Sequence, residues 1–527
     1  VTVLLAPIVE LRGDEPAVID ERGTTSWRTL DDRATRLVHA LRDRGLTPGD
    51  RIVTMVGNQV ELIEVTLACA HGGWVLVPLN WHLVAREVAY IIDDADAAAV
   101  VVDRRWADVV DEAVSAAQGD QVRALLQCGG EPVLPGFEDY ETVLAASHAD
   151  DLGEVTKGGP MFYTSGTTGN PKGVRSALTT VGGPPELFTL IAHSMAPTID
   201  LEPYTGDGPP RVQLVCGPMY HSAQWVFGTF ALLCGATVVL QHRFDAAGVL
   251  ELIDAHGVTN THLVPTQMVR MLDLPAEVRD RFDGSSLRSV IHGAAPCSPT
   301  VKRAMIDWVG PIVTEYYGGT EGGFLAVISA EEWLARPGSV GRPVAIIDVI
   351  VVGEDGELVG PGIPGEIWFR NQMGSDFEYH KAPEKTASAH RDGGYGTLGD
   401  IGYLDDDGYL YLSDRKIDMV VSGGVNIYPA EVEAVLSAHP AVADVAVFGI
   451  PDDEMGEAVH AALALRHGHL WSEGLRNDID GWCRAELAGY KRPRSYEVHE
   501  ELPRSEAGKL TKRVLRAPWW QGHNRAI

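Results

Sequence analysis

The sequence predicts an α/β protein: a large N-terminal domain of parallel-rich sheets covered by helices, carrying a β-rich subdomain, and a small α+β C-terminal domain. Three observations predict it. Helical and strand-like apolar patterns alternate between residues 30 and 102, the texture turns to strands joined by Asp-Gly pairs beyond residue 340, and mixed α/β patterns return after Asp414. At 527 residues the chain exceeds what one hydrophobic core organises, so more than one domain is expected. The segment past Asp414, about 110 residues, is long enough for a small domain of its own.

From Leu30 the apolar positions Leu30, Ala34, Leu37, Val38 and Leu41 follow helical spacing, and Gly45 supplies a left-handed stop. A strand over 52–56 follows, then a helix around 60–70, a strand over 75–79, a helix over 84–92 and a strand over 98–102. Strands alternating with helices imply parallel sheets covered on both faces. The most apolar stretch, 225–240, is interrupted by Gly228, Thr229, Gly235 and Thr237 and is shorter than the roughly 20 residues of a membrane span, so it predicts a buried helix followed by a strand. Further on, 346–352 and 409–412 are strand-like, and Asp355-Gly356 and Asp407-Gly408 mark hairpin turns of a more antiparallel region. A helix over 429–438, a strand over 442–449 and a helix near 482–487 complete the small domain.

With 45% hydrophobic and 22% charged residues the composition is that of a globular protein, neither disordered nor fibrous. A net charge of -30 argues against a nucleic-acid-binding surface, which draws its affinity from Lys and Arg neutralising phosphates, and a solvated anionic surface accounts for the acidity. Six cysteines (Cys69, Cys128, Cys216, Cys234, Cys297, Cys483) stand far apart without zinc-ligand spacing and predict reduced, mostly buried thiols. No basic stretch followed by an apolar core and cleavage site is visible at the N-terminus, so the expected location is cytoplasmic.

The most informative segment is Tyr163-Thr164-Ser165-Gly166-Thr167-Thr168-Gly169-Asn170-Pro171-Lys172-Gly173-Val174. Glycines let backbone N–H groups approach an anion, while hydroxyls and an ammonium add donors and charge, so the segment is suited to a polyphosphate. It is not a Walker P-loop, because Pro171 stands where that motif needs a Gly before the Lys. The segment resembles the signature loop of the adenylate-forming (ANL) superfamily, which includes acyl-CoA synthetases, peptide-synthetase adenylation domains and luciferases.

The resemblance extends over most of the chain in the family's order. Pro218-Met219-Tyr220-His221-Ser222 resembles the segment whose His borders the acyl pocket. Gly293-Ala294-Ala295-Pro296 resembles the stretch lying along the adenine, and Tyr316-Tyr317-Gly318-Gly319-Thr320-Glu321 follows. The resemblance implies that a Tyr stacks on adenine, that Thr320 meets the α-phosphate, and that Glu321 holds Mg²⁺ together with Thr164. An aromatic face suits a purine, and oxygen donors suit a hard cation bridging phosphates. Leu398-Gly399-Asp400 resembles the family's Thr-Gly-Asp, whose Asp grips the ribose hydroxyls; Leu398 departs from the pattern and puts the Thr contribution in doubt. Arg415 matches an Arg that reaches the ribose just before an interdomain hinge, here 415–418, which divides the adenylation domain 1–414 from a mobile domain 419–527.

Two half-reactions are implied. A carboxylate attacks the α-phosphorus of ATP and expels pyrophosphate, a meeting of anions that needs fixed positive charge from Lys172, Mg²⁺ and Lys509. Lys509 lies in Leu502-Pro503-Arg504-Ser505-Glu506-Ala507-Gly508-Lys509-Leu510, which resembles the family's C-terminal catalytic loop. After rotation of the small domain, Val421-Ser422-Gly423-Gly424-Val425-Asn426-Ile427-Tyr428-Pro429 faces the site, and Ser422, Gly423 and Gly424 line the coenzyme A tunnel. This form looks like that of the CoA ligases, although Gly423 and Gly424 also suit a plain turn. Ile417 stands where families often place Asp or Lys at the hinge, so the pivot residue stays unassigned.

By position, His221, Gln224, Trp225, His292, Gly293 and Gly318 line the acyl pocket, and Trp225 with Phe227 narrows it toward a medium, branched or aromatic acid unless they belong to the core. The expected partners are a small carboxylic acid, ATP, Mg²⁺ and coenzyme A. Other acceptors stay open: a carrier-protein thiol, an amine, or nitrite as in diazo-forming relatives of secondary metabolism. A homodimer stays open as well.

Overall fold

The computed structural model describes residues 2–118, 121–164, 171–176, 178–415, 418–422, 425–452, 455–487, 489–504 and 510–521. Ser165, Gly166, Thr167, Thr168, Gly169, Ile417, Gly423, Gly424 and Lys509 lie outside the described residues, and for Arg415 only the backbone is described. The chain divides into two compact units: Val1–Leu263 with Asp273–Ile291 and Ser375–Ser388, and Val264–Leu272 with His292–Gly374 and Ala389–Ile527.

In the first unit the alternating pattern becomes parallel sheet. Strands run in the order Glu138–Asp139, Ala124–Cys128, Ala97–Asp103, Arg51–Met55, Val75–Pro78, Gly159–Pro160, every pair parallel. Arg51–Met55 is central because the chain winds first to Val75–Pro78 on one side and then to Ala97–Asp103 on the other, with Ile52 opposite Leu76 and Ala99. Helices Trp27–Asp43, Val60–Gly72 and Ala85–Asp94 intervene, close to the positions read from the sequence. Val60–Gly72 is buried from Glu61 onward, its apolar residues surrounding Glu61 and Glu64, which pair with Arg22 and Arg33. Gly45 takes φ 80° and donates its N–H to Arg42 O, closing the helix before it.

A second parallel set repeats the plan: Val212–Val215 pairs with Thr237–Leu240 on one side and Asn260–Leu263 on the other. The apolar stretch 225–240 is helix Ser222–Leu233 and strand Thr237–Leu240, both largely buried. A small antiparallel sheet joins Phe162–Thr164, Lys172–Arg175 and Glu378–Tyr379.

The second unit is antiparallel where the Asp-Gly pairs predict it. Ile347–Val352, Gly365–Asn371, Tyr395–Leu404 and Leu410–Arg415 pair in succession, each antiparallel. Asp407-Gly408 makes the expected tight hairpin, with Asp405 N–H donated to Tyr409 O. Asp355-Gly356 differs: it turns the chain only between Val352 and Leu358, and the partner strand begins later, at Gly365. Nearer the C-terminus, Val425–Ile427, Val420–Ser422, Gly456–Leu465 and Val442–Asp452 form an antiparallel sheet, joined in parallel by Ser495–His499. The helix expected near 482–487 starts at Glu473, where Ser472 caps it by accepting Leu475 N–H. Its buried stripe of Ile479 and Cys483 is thin among charged residues, which hides its first half from an apolar pattern. α/β architecture with a C-terminal subdomain is thus the fold.

The six cysteines are free thiols, five of them buried and Cys297 half-buried. Among the described residues no helix is long and apolar enough to cross a membrane.

Candidate active site

The glycine- and hydroxyl-rich segment is carried by a hairpin. Thr164 ends one strand, Lys172 begins the next, and the two are direct partners across the ladder. Lys172 Nζ donates to Tyr90 Oη at 3.0 Å and lies 5.7 Å from the Tyr90 ring centroid. That hydrogen bond, with Asp94 nearby, raises the Lys172 pKa and keeps the ammonium charged. Tyr163 Oη donates to Asp94 Oδ2 at 2.8 Å, and His380 N–H is donated to Gly173 O at 2.7 Å. Helix Ala85–Asp94 therefore meets the lysine-bearing strand at Lys172 through Tyr90 and its partner strand at Tyr163 through Asp94. Tyr90 and Asp94 carry no sequence signal of this role, because their partners lie 82 and 69 positions away.

His221 caps helix Ser222–Leu233, half-buried, with its N–H donated to Pro218 O at 3.1 Å. Gln224, one turn on, is buried and donates Nε2 to His262 Nδ1 at 2.9 Å. His262 stacks on Phe227 at 4.4 Å and 16°, and burial lowers its pKa to about 3, so the ring is neutral and accepts that bond. Trp225 has no exposed surface, donates Nε1 to Thr66 Oγ1 at 3.2 Å, and packs 5.8 Å from Phe162 and 5.7 Å from Phe188. Trp225 and Phe227 are thus core side chains of the first unit.

In the second unit, Gly293 and Gly318 are places where a side chain does not fit. A Cβ on Gly293 would stand 2.5 Å from the Tyr316 ring, and one on Gly318 would collide with Gly323 O. Ala294 adopts φ 65°, a left-handed conformation costly for a residue with a Cβ and a mark of functional segments. Tyr316 and Tyr317 alternate along strand Val313–Gly319, both buried; Tyr316 meets Phe324 edge-on at 4.7 Å, and Tyr317 Oη donates to Asp400 Oδ2 at 2.8 Å. Asp400 faces Arg415 across the ladder, so the two residues expected at the ribose share one register position. The hydroxyl missing at Leu398 is present one residue earlier: Thr397 donates to Ile367 O at 2.8 Å and accepts Gly399 N–H at 2.9 Å, which shapes the turn before Asp400. Leu398 lies instead against Gly319.

Behind these segments is a buried ion pair that sequence reading missed. Lys302 Nζ, fully buried, donates to Glu315 Oε2 at 2.6 Å, and His292 Nε2 lies 3.8 Å from the same oxygen. Burial lowers the Lys302 pKa and raises that of Glu315, and each opposes the other's shift.

The family model for AMP-binding enzymes matches residues 7–375, and that for the AMP-binding enzyme C-terminal domain matches 431–509. The chain belongs to the AMP-binding enzyme family. It is a member of the adenylate-forming superfamily and uses ATP. This AMP-binding enzyme is 32% identical over 523 residues to the fatty acid–acyl-carrier-protein ligase ScoC of Streptomyces coeruleorubidus, covering 97% of this chain and 95% of the relative. It is 33% identical over 520 residues to a feruloyl-CoA synthase of an Amycolatopsis species, covering 97% of each. Among solved structures it matches the amide bond synthetase McbA of Marinactinospora thermotolerans with a TM-score of 0.81 at 28% identity, over 98% of this chain and 99% of that one.

The residues of this AMP-binding enzyme fit the groups its family uses. Gly293 and Gly318 pack closely against Tyr316 and Gly323, and the Asp400 carboxylate offers acceptor oxygens of the kind that hydroxyls need. Thr164 and Glu321 offer a hydroxyl and a carboxylate, the hard oxygen donors that Mg²⁺ takes alongside phosphate oxygens and water. Among the described residues no group of three His, Cys, Asp or Glu is placed to hold a metal alone.

Proposed function

We propose that this enzyme converts a carboxylic acid and ATP into an acyl-adenylate and pyrophosphate, then transfers the acyl group to coenzyme A. Lys172 and Lys509 neutralise charge as carboxylate and triphosphate meet, and Thr164 and Glu321 would hold Mg²⁺, which would supply further charge neutralisation on the phosphates. Thr164 to Gly169 cradle the phosphates. Gly293 to Pro296, Tyr316, Tyr317 and Gly318 enclose the adenine, Thr320 meets the α-phosphate, and Asp400 with Arg415 holds the ribose. His221, Gln224, His292, Gly293 and Gly318 border the acid. Residues 415–418 act as the hinge on which 419–527 turns between the two steps.

Coenzyme A as acceptor rests on the Ser422-Gly423-Gly424-Val425-Asn426-Ile427 segment, whose flanking strands Val420–Ser422 and Val425–Ile427 pair as an antiparallel hairpin, with Ser422 opposite Val425. A second reading keeps the adenylate and changes the acceptor, and relatives named for an acyl carrier protein and for amide bond synthesis favour it. The test is AMP release across a panel of acids with and without coenzyme A, with the product identified by mass. Turnover that requires coenzyme A and yields its thioester is expected. An acyl product formed only with a carrier protein, an amine or nitrite overturns the coenzyme A assignment.

A further inference from the structure

Each parallel set of the first unit has a place where its winding reverses: between Arg51–Met55 and Ala97–Asp103 in one, and between Val212–Val215 and Asn260–Leu263 in the other. Ligands of open α/β sheets bind beyond the carboxyl ends of strands at such reversals. The segment with His221 leaves the second of these, directly after Val212–Val215. What leaves the first is Asn58, three residues past Met55 and just before helix Val60–Gly72.

Asn58 has no exposed surface, and its amide is spent entirely on the other sheet. Nδ2 donates to Gly217 O at 2.7 Å and to Gln241 O at 3.0 Å, while Oδ1 accepts Met219 N–H at 2.9 Å. Gly217 and Met219 flank Pro218, whose carbonyl accepts the His221 N–H at 3.1 Å. Gln241 follows the neighbouring strand Thr237–Leu240. One side chain therefore fixes both the start of the turn that presents His221 and the strand end beside it. Gly217 also leaves room for Gln224, since a Cβ there would stand 2.5 Å from Gln224 Nε2.

We propose that Asn58 is a positioning residue for the acid-binding segment 217–224, acting through the backbone of Gly217 and Met219. The inference rests on the reading of His221 and Gln224 as the border of the acyl pocket. Asn is required because two carbonyls and one N–H converge on the site: a side chain of the same size must donate twice and accept once. Asp at this position would set a carboxylate against two carbonyl oxygens and leave both without a donor.

The experiment compares the full-length chain with Asn58→Asp and the milder Asn58→Ser, measuring acid-dependent pyrophosphate release well below each variant's melting temperature. Misplacing a substrate-positioning segment raises KM for the acid roughly tenfold or more. KM for ATP is expected to stay within about twofold, because uniform loss of binding is confined to the acid. If Asn58→Asp does not fold, Asn58→Ser carries the same reading with a smaller shift. An unchanged acid KM, or equal changes in both KM values, overturns the proposal. An unaltered chain that releases no pyrophosphate with any acid overturns the functional reading and this inference with it, whereas an active chain with indifferent variants overturns this inference alone.

Discussion

His262 shows how one buried side chain couples stability to pH. Its ring is neutral, stacked on Phe227 and accepting from Gln224, with a pKa lowered to about 3 by burial. His71 is similar, its pKa lowered to about 4, with Nδ1 against Leu67 O and Nε2 accepting Leu4 N–H at 3.3 Å. Because the folded values lie below the ordinary 6.5, the unfolded chain binds protons first as pH falls. Stability contributed by each neutral ring is full above about pH 6.5 and is lost below it, by roughly 2 kcal/mol per histidine on going from pH 7 to pH 5. His262→Asn keeps an acceptor for Gln224 and removes the titration. Urea unfolding of the variant should be less pH-dependent than that of the unaltered chain by about that amount over this window. Identical pH dependence in both would show that His262 is not held neutral by burial.

Among elements, the Lys302–Glu315 pair joins helix Pro299–Val309, which follows Gly293 to Pro296, to strand Val313–Gly319, which carries Tyr316, Tyr317 and Gly318. Removing one member leaves the other charge buried without its partner, at a cost of about 3–5 kcal/mol, whereas an apolar pair of similar volume is often neutral. Lys302→Met is therefore expected to lower the melting temperature sharply and Lys302→Met with Glu315→Leu to restore most of it; a single variant as stable as the unaltered chain would refute the clamp. Such pairs were not legible in the sequence. Periodicity discloses elements whose own residues set their burial, as in 30–41 and 52–56, because the stripe lies within the segment. It cannot show that Tyr90 meets Lys172, that Asn58 meets Gly217, or that Lys302 meets Glu315, since these partners are brought together only by strand order. The first half of Glu473–Glu486 escaped notice for a related reason: its burial is narrow and its charged faces dominate the composition. Asp400 and Thr397 were half legible, the Gly and Asp standing in place while the hydroxyl stands one residue earlier, at Thr397.

At the scale of the molecule, the proposed domain 419–527 carries two apolar clusters of its own. Strand pair Val442–Asp452 and Gly456–Leu465 presents alternate faces, as the period of a strand dictates. One face, with Val445, Val447, Val459 and Leu463, packs on Val432 and Leu436 of one helix and Ile479 and Cys483 of another. The opposite face, with Ala446, Phe448, Ala462 and Ala464, is covered by Leu502, Leu510 and Leu515, and Trp520 Nε1 donates to Gly449 O at 2.9 Å. Every residue named in the two clusters lies between Val420 and Leu515, while helix Pro429–Ser437 also meets strand Leu410–Arg415, outside the fragment. Ion pairs within the fragment also join Arg504 to Asp444 at 2.6 Å and Lys512 to Glu433 at 2.9 Å. A domain near 100 residues buries enough of its unfolded surface to be stable alone. Expressed by itself, 419–527 should give a cooperative thermal transition and a near-ultraviolet circular dichroism signal from its fixed tryptophans. A gradual melt without that signal would place the boundary elsewhere and remove the basis for treating 415–418 as a hinge between two folded parts.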